Sequence, residues 1–376
     1  MKRRRPARQT GLSLIELMIA MLIGLVLMAG VIQVFAASRM AYQLSEGLAR
    51  NQENSRFAID YLQRDLRMAG HFGCVNDQSH LQTNGALQVH FGASTEPALD
   101  FAVSIQAYEA NGTEPGDSMT IGAPASGWSP ALPTAISALE PLAGSDVLVL
   151  RFLSSLGAPV DAIATGSGTT ITVPTARWEA LTQDGVASPR LFGIADCSYA
   201  DVFEASVVAP ASGTVQTTAV LDRYTAQPTG QTVLYRADSL VYYVAAGASG
   251  EPALYRARYD GARYQAEELV EGVESMQLIF GQDRVADLAT AAPSGYIDVY
   301  NTADTIGTAA DDWRRVGSVQ VGLLLRSPDQ ATAQVPNAAS RLHVLGVEIV
   351  PPATHDGRYR GAYETTVALR NRLYGN

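Results

Sequence analysis

Hydrophobic residues form one long stretch near the start of the chain, from Leu12 to Ala37. These 26 residues include a single charged side chain, Glu16, and roughly 20 apolar residues are enough to cross a bilayer as a helix. The pattern therefore predicts a transmembrane helix over 12–37. A carboxylate at the centre of such a helix costs roughly 2.5–3.5 kcal/mol on insertion scales, so Glu16 is a candidate functional residue.

After this stretch, apolar and small residues recur every three or four positions, as in an amphipathic helix. They are Leu44, Leu48, Ser55, Ala58, Ile59, Leu62, Leu66 and Ala69. Gly70 follows, and glycine favours the end of a helix. We therefore expect one helix from Leu12 to about Ala69, about 85 Å long, whose second half packs on a β-domain. A heptad coiled coil is the alternative for this half, although Gly47 and Asn51 interrupt the stripe.

Beyond Gly70 the chain contains short β-branched and aromatic runs separated by Gly, Pro and Asp, which predicts strands. The clearest runs are Val147–Phe152, Thr169–Val173, Gln231–Arg236, Ser239–Val244, Ala253–Arg258, Ser275–Phe280, Val316–Arg326, Arg341–Val350 and Glu364–Leu369. A short helical or turn segment is expected from Glu267 before the strand at Ser275. Helix and strand do not alternate, so the predicted fold class is α+β with antiparallel sheet.

The charged residues before the apolar stretch predict how the chain is oriented in the membrane. Residues 1–9 carry five positive side chains and no acid, and such a flank is held in the cytoplasm. The segment after Ala37 should therefore be exported. Composition is that of a globular domain, with 47% hydrophobic and 17% charged residues. The formal net charge of −10 argues against a general nucleic-acid binder, which needs a basic face.

The junction between the basic leader and the apolar stretch is a candidate cleavage site. An ordinary secretory signal has a shorter apolar core, with a small-residue cleavage site after it. Here Gly11 lies before the apolar stretch. A cut after Gly11 would create an α-amino group on Leu12 near the depth of Glu16. It would remove the leader's five positive charges and take the net charge from −10 to −15. An uncleaved signal anchor is the alternative.

The sequence Gly11-Leu12-Ser13-Leu14-Ile15-Glu16 resembles the class III signal of type IV prepilins and type II secretion pseudopilins. The resemblance implies cleavage by a prepilin peptidase after Gly11 and N-methylation of Leu12. It also implies that Glu16 neutralises the N-terminal amine of a neighbouring subunit. Two charges that are costly singly in lipid become tolerable as a pair. The residues expected to pack against neighbouring helices are Leu14, Ile15, Leu17, Met18, Leu22 and Leu25.

Four later segments resemble the PilW-type minor pilins of type IV pili. They are residues 56–74, residues 270–281, Trp313 with Val319–Arg326, and residues 365–371. This resemblance implies a pilin-like fold and a non-enzymatic minor pilin that primes filament assembly and lies at the pilus tip. A J-type minor pseudopilin of type II secretion is the nearest alternative. A signal-anchored periplasmic enzyme or ligand-binding protein is the alternative from another class.

The resemblance also implies partners and a location. The expected partners are a prepilin peptidase, other minor pilins, the major pilin and a tip adhesin, with no direct binding of nucleic acid. The chain would span the inner membrane with a cytoplasmic N-terminus and a periplasmic C-terminal domain, and then enter the pilus. The expected divisions are a leader (1–11), a transmembrane and filament-core helix (12–37), an amphipathic continuation (38–70), a variable β-rich lobe (71–200) and a pilin-like antiparallel β-domain (201–376).

The chain has two cysteines, Cys74 and Cys197. An oxidising periplasm favours a disulfide between them, with two free buried thiols as the alternative. Enzyme signatures are missing from the sequence: the histidines show no metal-binding spacing, and no nucleophile elbow or phosphate-binding loop occurs. The histidines are His71, His80, His90, His343 and His355. No enzymatic activity and no cofactor are therefore expected.

Six aspartates crowd the segment between two predicted strands. They are Asp283, Asp287, Asp298, Asp304, Asp311 and Asp312. Carboxylate oxygens are ligands for calcium, so a calcium loop between Asp283 and Asp312 is one interpretation. The spacing matches no known calcium cage, and a solvated acidic loop is the favoured alternative.

Overall fold

The structure is a computed structural model. It describes residue 11 and residues 13–74, 85–91, 96–285, 294–331, 341–352, 354 and 356–372. Residues 1–10 of the predicted leader, Leu12, His80, Asp287 and His355 lie outside these residues. Within them the chain forms one long helix followed by a β-rich head, so the α+β prediction is confirmed.

The long helix, α1, runs from Leu14 to Leu66 and contains 53 residues, a length of about 80 Å. It ends slightly before the predicted Ala69. The amides of Met68 and Ala69 bond back to carbonyls three residues earlier, a spacing that tightens the last turn out of α-helical geometry. Gly70 then takes a positive φ of 75°, a conformation that glycine adopts without strain.

The second half of α1 packs on strands of the head, as predicted. Its buried residues are Gly47, Asn51, Ser55, Ala58, Leu62, Asp65 and Leu66. The predicted stripe was wrong at its start, since Leu44 and Leu48 are 41% and 36% exposed. Gly47 and Asn51, which the sequence suggested as interruptions, form the contact instead. Because Gly47 has no side chain, the helix approaches so closely that a Cβ there would lie 2.8 Å from the Cβ of Ala331.

The described part of the head contains twenty strands. They are β1 Leu87–Val89, β2 Ile105–Ala110, β3 Ser118–Thr120, β4 Trp128–Ser129, β5 Val147–Pro159, β6 Ala162–Thr165, β7 Thr169–Thr172, β8 Leu191–Ala195, β9 Ala200–Glu204, β10 Val207–Ala209, β11 Thr214–Thr217, β12 Val233–Ala246, β13 Pro252–Tyr259, β14 Tyr264–Glu271, β15 Val273–Gln282, β16 Val299–Asn301, β17 Val316–Gln330, β18 Leu342–Val344, β19 Val347–Val350 and β20 Arg358–Ala368. Short helices are α2 Thr134–Ser137, α3 Ala303–Ile306 and α4 Ala310–Arg314, with 3₁₀ turns at Pro97–Leu99, Thr175–Leu181, Pro210–Ser212 and Arg370–Arg372.

These strands form four sheets. The largest has nine strands in the order β1-β9-β8-β12-β5-β2-β4, and β13 and β14 extend it from β12. A four-stranded sheet, β16-β15-β17-β20, lies under α1. The other two sheets are β10-β11-β7-β6 and β18-β19-β3. Pairing is antiparallel except for β1 with β9 and β19 with β3.

Three details of the strand prediction need correction. The run Arg341–Val350 forms two strands, β18 and β19, that pair as a hairpin. The runs Gln231–Arg236 and Ser239–Val244 form one strand, β12, whose register shifts between Tyr235 and Ala237 where it leaves β8 and follows β5. The segment from Glu267 is not helical: it belongs to β14, which pairs with β13. The predicted division at residue 200 stays a prediction; residue 200 is the first of β9, and the large sheet contains strands from both sides of it.

The main hydrophobic core lies where α1, the large sheet and the four-stranded sheet meet. Ala58, Leu62 and Leu66 of α1 contribute to it and are fully buried. Trp313 is also fully buried there and packs edge-on against Phe280, with ring centroids 5.1 Å apart. The second half of the helix is thus part of the head, and the first half extends away from it.

Candidate functional site

The start of α1 holds the residues of the predicted cleavage and assembly site. Ser13 is the N-cap, and its backbone N–H donates to Glu16 Oε2 over 2.9 Å. The Glu16 backbone N–H donates in return to Ser13 Oγ over 3.2 Å. This reciprocal pair is a capping box, which satisfies two amide donors at a helix start. Gly11, two residues before Ser13, is exposed, and Leu12 between them lies outside the described residues.

The helix that follows exposes its apolar side chains on all sides. The residues predicted to pack against neighbours, Leu14, Ile15, Leu17, Met18, Leu22 and Leu25, are between 50% and 78% exposed. By length and composition α1 is long and apolar enough to cross a membrane, and its most apolar stretch makes no buried contact with the head. A soluble chain rarely leaves so large an apolar surface open. The apolar half of α1 therefore indicates membrane anchoring.

The second half of α1 is fixed to the head by polar side chains as well as by its apolar stripe. Asn51 Nδ2 donates to the Leu325 carbonyl at 3.3 Å, and Asn54 Nδ2 donates to the Glu271 carbonyl at 3.0 Å. Gln63 Nε2 donates to Thr365 Oγ1 at 2.9 Å. The three partners belong to the three C-terminal segments that resemble PilW-type minor pilins. The structure thus brings these distant segments together along one face of the helix.

Asp65 forms the most buried polar contact between α1 and the large sheet. Its Oδ2 accepts the hydroxyl of Tyr242 at 2.6 Å and Nη1 of Arg256 at 3.2 Å. Burial, and next the negative charge of Asp65, raise the pKa of Tyr242 well above its usual value. The sequence analysis missed Asp65. Its signal was its position three residues after Leu62 and seven after Ala58, on the buried stripe.

The end of α1 is also covalently fixed. Cys74 and Cys197 form a disulfide with their Cα atoms 4.9 Å apart, as predicted. Cys197 lies in the turn between β8 and β9, inside the large sheet's order. Asn371 Nδ2 donates to the Arg67 carbonyl at 2.9 Å. The helix end therefore meets both the middle and the end of the chain.

Two buried carboxyl groups lie near the start of β5, and sequence reasoning missed both. Asp146 accepts the backbone amides of Ala110 and Leu278 at 2.8 and 2.7 Å and so joins β2 to β15. Burial raises its pKa to about 8. Glu109 is 3% exposed, and its Oε2 has no hydrogen-bond partner. Burial, and next the Asp146 carboxyl, raise the pKa of Glu109 to about 10. Both groups are therefore neutral in the folded head at moderately acidic pH.

The aspartates of the acidic segment mostly bond to protein groups. Asp283 accepts the amides of Val285 and Gly295, at 2.9 and 2.8 Å. Asp311 and Asp312 pair with Arg314 and Arg315, and Asp304 accepts the hydroxyl of Thr302. Among the described residues no group of three or more His, Cys, Asp or Glu could hold a metal ion. Calcium binding between Asp283 and Asp312 stays a prediction.

Two of the three described histidines, His71 and His90, have structural contacts, and the third, His343, is exposed. His71 Nδ1 lies 2.9 Å from the Leu153 carbonyl, and burial lowers its pKa. His90 pairs with the buried carboxylate of Asp201. Arg223 Nε also donates to Asp201, at 2.7 Å, so the cluster ties β1 to β9. These contacts explain His71 and His90 by packing and hydrogen bonding in the head.

The fold and the site together define a class: a membrane-anchored protein with one long helix and a β-rich head. Comparison with known proteins identifies it further. Residues 6–32 match the prokaryotic N-terminal methylation motif, and residues 241–371 match the family described as type IV pilus-assembly protein W, PilW. The start of the chain therefore carries a prepilin-type motif, and residues 241–371 are similar to the PilW family. The resemblance to PilW-type minor pilins is confirmed.

A solved structure adds a weaker similarity. The type IV-like pilin TTHA1219 from Thermus thermophilus is 17% identical and covers 36% of this chain and 68% of its own. The TM-score is 0.22, too low to define the fold. None of the curated proteins compared with the chain matches it.

Proposed function

We propose that this chain is a minor pilin that primes type IV pilus assembly and lies at the filament tip, with a structural role and no enzymatic activity. One observation carries the proposal. The methylation motif (6–32) and the PilW match (241–371) lie at opposite ends of the chain. A single helix joins them, free at one end and packed into the PilW region at the other.

The free end of the helix supports assembly with other pilins. After cleavage at Gly11, the new amine of Leu12 would lie near the membrane depth of Glu16 on a neighbouring subunit. An isolated charge in the membrane is costly, and pairing the two charges offsets that cost. The charge pair thus draws subunits together and fixes their register along the helix axis. The first partner would be the prepilin peptidase that makes the cut. The later partners would be other minor pilins and the major pilin.

The strands of the head outside the PilW region support a position at the tip of the filament. Beyond the PilW region it carries the β10-β11-β7-β6 sheet and the outer strands β1, β8 and β9 of the large sheet. A subunit repeated along a filament must fit neighbours above and below it, whereas a subunit at the tip has an open side. We propose that the added strands occupy this open side, after the chain has crossed the inner membrane with its head in the periplasm.

The first test is the intact mass of the chain extracted from membranes. Processing predicts loss of residues 1–11 and gain of one methyl group on Leu12. A full-length, unmethylated chain in cells with an active prepilin peptidase would exclude the pilin proposal. An epitope tag on the head should then label filament ends, and labelling along the whole filament would exclude the tip.

The second test separates processing from assembly. Glu16→Ala should be cleaved normally but should no longer co-purify with other pilins or restore filaments to cells that lack the chain. The control is Glu53→Ala, which removes an exposed carboxylate from the same helix outside the apolar stretch. Normal piliation with Glu16→Ala would contradict the charge pair. Co-purification with secretion pseudopilins in place of pilins would favour the type II secretion alternative.

A further inference from the structure

The capping box places a second residue next to the assembly carboxylate. From the hydrogen bonds between Ser13 and Glu16 we infer that Ser13 is a positioning residue: it holds the Glu16 carboxylate at the end of the helix, where the amine of a neighbouring subunit arrives. The inference deepens the proposed function and rests on the charge pair described there. It gives a role to a residue that is neither the cleavage site nor the charged partner.

The geometry supports this role. Ser13 has an extended backbone, with φ −72° and ψ 149°, that lets its own N–H reach Glu16 Oε2. Its hydroxyl oxygen accepts the Glu16 amide and so holds that backbone in place. A carboxylate can accept about four hydrogen bonds, so the bond from Ser13 leaves capacity for an incoming amine. Loss of the hydroxyl would release the N-cap and with it the orientation of the carboxylate.

The surrounding sequence offers no substitute. Between Ser13 and Gln33 the only polar side chain is Glu16 itself. In lipid no water is available to satisfy the first amides of the helix or to orient the carboxylate. A carboxylate without a fixed direction must be ordered by the incoming amine, and that ordering costs binding free energy. Ser13 thus pre-orders the acceptor before the neighbour binds.

The experiment uses the processed full-length chain in lipid nanodiscs and a labelled peptide probe. The probe copies residues 12–37 with Glu16→Gln, so that only the full-length chain supplies a carboxylate. It is made in two forms, with a charged N-methylated amine and with a neutral acetylated N-terminus. The ratio of the two apparent dissociation constants, measured by fluorescence energy transfer, gives the preference for the amine.

We expect the unmodified chain to prefer the charged peptide. Ser13→Ala should reduce this preference about two- to thirtyfold, the range that corresponds to loss of an N-cap. Ser13→Thr keeps the capping oxygen and should retain the preference. In a Glu16→Ala background the Ser13 hydroxyl can still cap the helix, but Ser13→Ala should cause no further change in the ratio.

Two results are decisive against the inference. An unchanged ratio for Ser13→Ala would overturn it, including the case in which both peptides lose affinity equally, because that result describes a helix cap with no effect on the charge pair. If Glu16→Ala leaves the ratio unchanged, the charge pair of the proposed function fails, and the inference fails with it. A loss seen with Glu16→Ala but not with Ser13→Ala removes only the inference.

Discussion

The contact between Asp65 and the large sheet gives the sharpest prediction about stability. Asp65→Asn keeps the shape of the side chain and removes its charge. The side chains of Asp65 and Arg256 are 9% and 12% exposed, so solvent screens the pair only weakly. Arg256 keeps its second partner, Glu267, but that carboxylate is 60% exposed and pairs in a more hydrated position.

The loss of stability in Asp65→Asn can be worked out from the hydrogen bonds and the ion pair that the substitution weakens. Hydrogen bonds to a charged group contribute roughly 1.5–3 kcal/mol, against about 0.5–1.5 kcal/mol for neutral ones. Breaking a buried ion pair by removal of one partner costs about 3–5 kcal/mol. The substituted amide would still accept one bond, and Glu267 still binds Arg256. We therefore expect a loss of about 2–4 kcal/mol in the free energy of unfolding of the head.

The assay is thermal unfolding of the full-length chain in detergent, followed by near-ultraviolet circular dichroism. A loss of this size should lower Tm by about 3–6 °C in a head of this length. The matched control is Asp60→Asn, which changes an exposed aspartate of the same helix and should change stability by no more than about 0.5 kcal/mol. Equal shifts for the two variants would refute the reasoning.

A double-mutant cycle tests the individual bond. Tyr242→Phe removes the hydroxyl that Asp65 accepts at 2.6 Å. If the bond is real, the two substitutions are coupled by at least about 0.5 kcal/mol. Strict additivity would show that Asp65 stabilises the head through Arg256 alone.

Three further predictions concern the head and its junction with the helix. Cys197→Ser opens a disulfide that spans 123 positions, and it should lower stability by about 4–5 kcal/mol in the chain-entropy model; reduction of the unmodified protein should give the same urea midpoint. Glu109→Gln should flatten the pH dependence of Tm. The folded-state pKa of Glu109 is raised to about 10 from 4.5, so the folded head binds more protons and loses stability as pH rises above about 4.5; an unchanged profile in the variant contradicts this. Gly47→Ala should cost about 1–3 kcal/mol by overpacking against Ala331, whereas Gly24→Ala, where a Cβ meets nothing within 4 Å, should leave Tm unchanged.

The long helix could be predicted because its signal is local: an apolar stretch of this length indicates a membrane helix. Gly11 and Glu16 stand at fixed offsets from the start of this stretch, and their roles in cleavage and assembly stay predictions. The disulfide followed from a count of two cysteines and the expectation of export. The signals for the helix and for its start lie within a few neighbouring residues, and two cysteines can form only one disulfide.

The packing of the second half of α1 was harder to predict because its partners are far away in sequence. Gly47 and Asn51 are poor core residues by composition, yet Ser327 and Leu325 approach them so closely that only a small or hydrogen-bonding side chain fits. Leu44 and Leu48 are apolar but remain exposed. Periodicity finds an apolar stripe, but the shape of the opposing surface decides which face of the helix is buried.

The same limit applies to the sheets and to the buried acids. Two predicted strands are one strand, β12, because it changes partners from β8 to β5 along its length, and no local pattern encodes a partner. Asp65, Glu109 and Asp146 are polar, and a single sequence assigns such residues to the surface. Their burial depends on Tyr242, Ala303 and Leu278, which lie far along the chain.

The disulfide has a mechanical consequence for a protein anchored by one helix. A pull on the membrane end of α1 is borne first by the contacts of its second half with the head. Load that reaches Cys74 can pass through the disulfide to the turn between β8 and β9 in the largest sheet. The end of the helix therefore stays joined to that sheet even where the non-covalent contacts of α1 give way under tension.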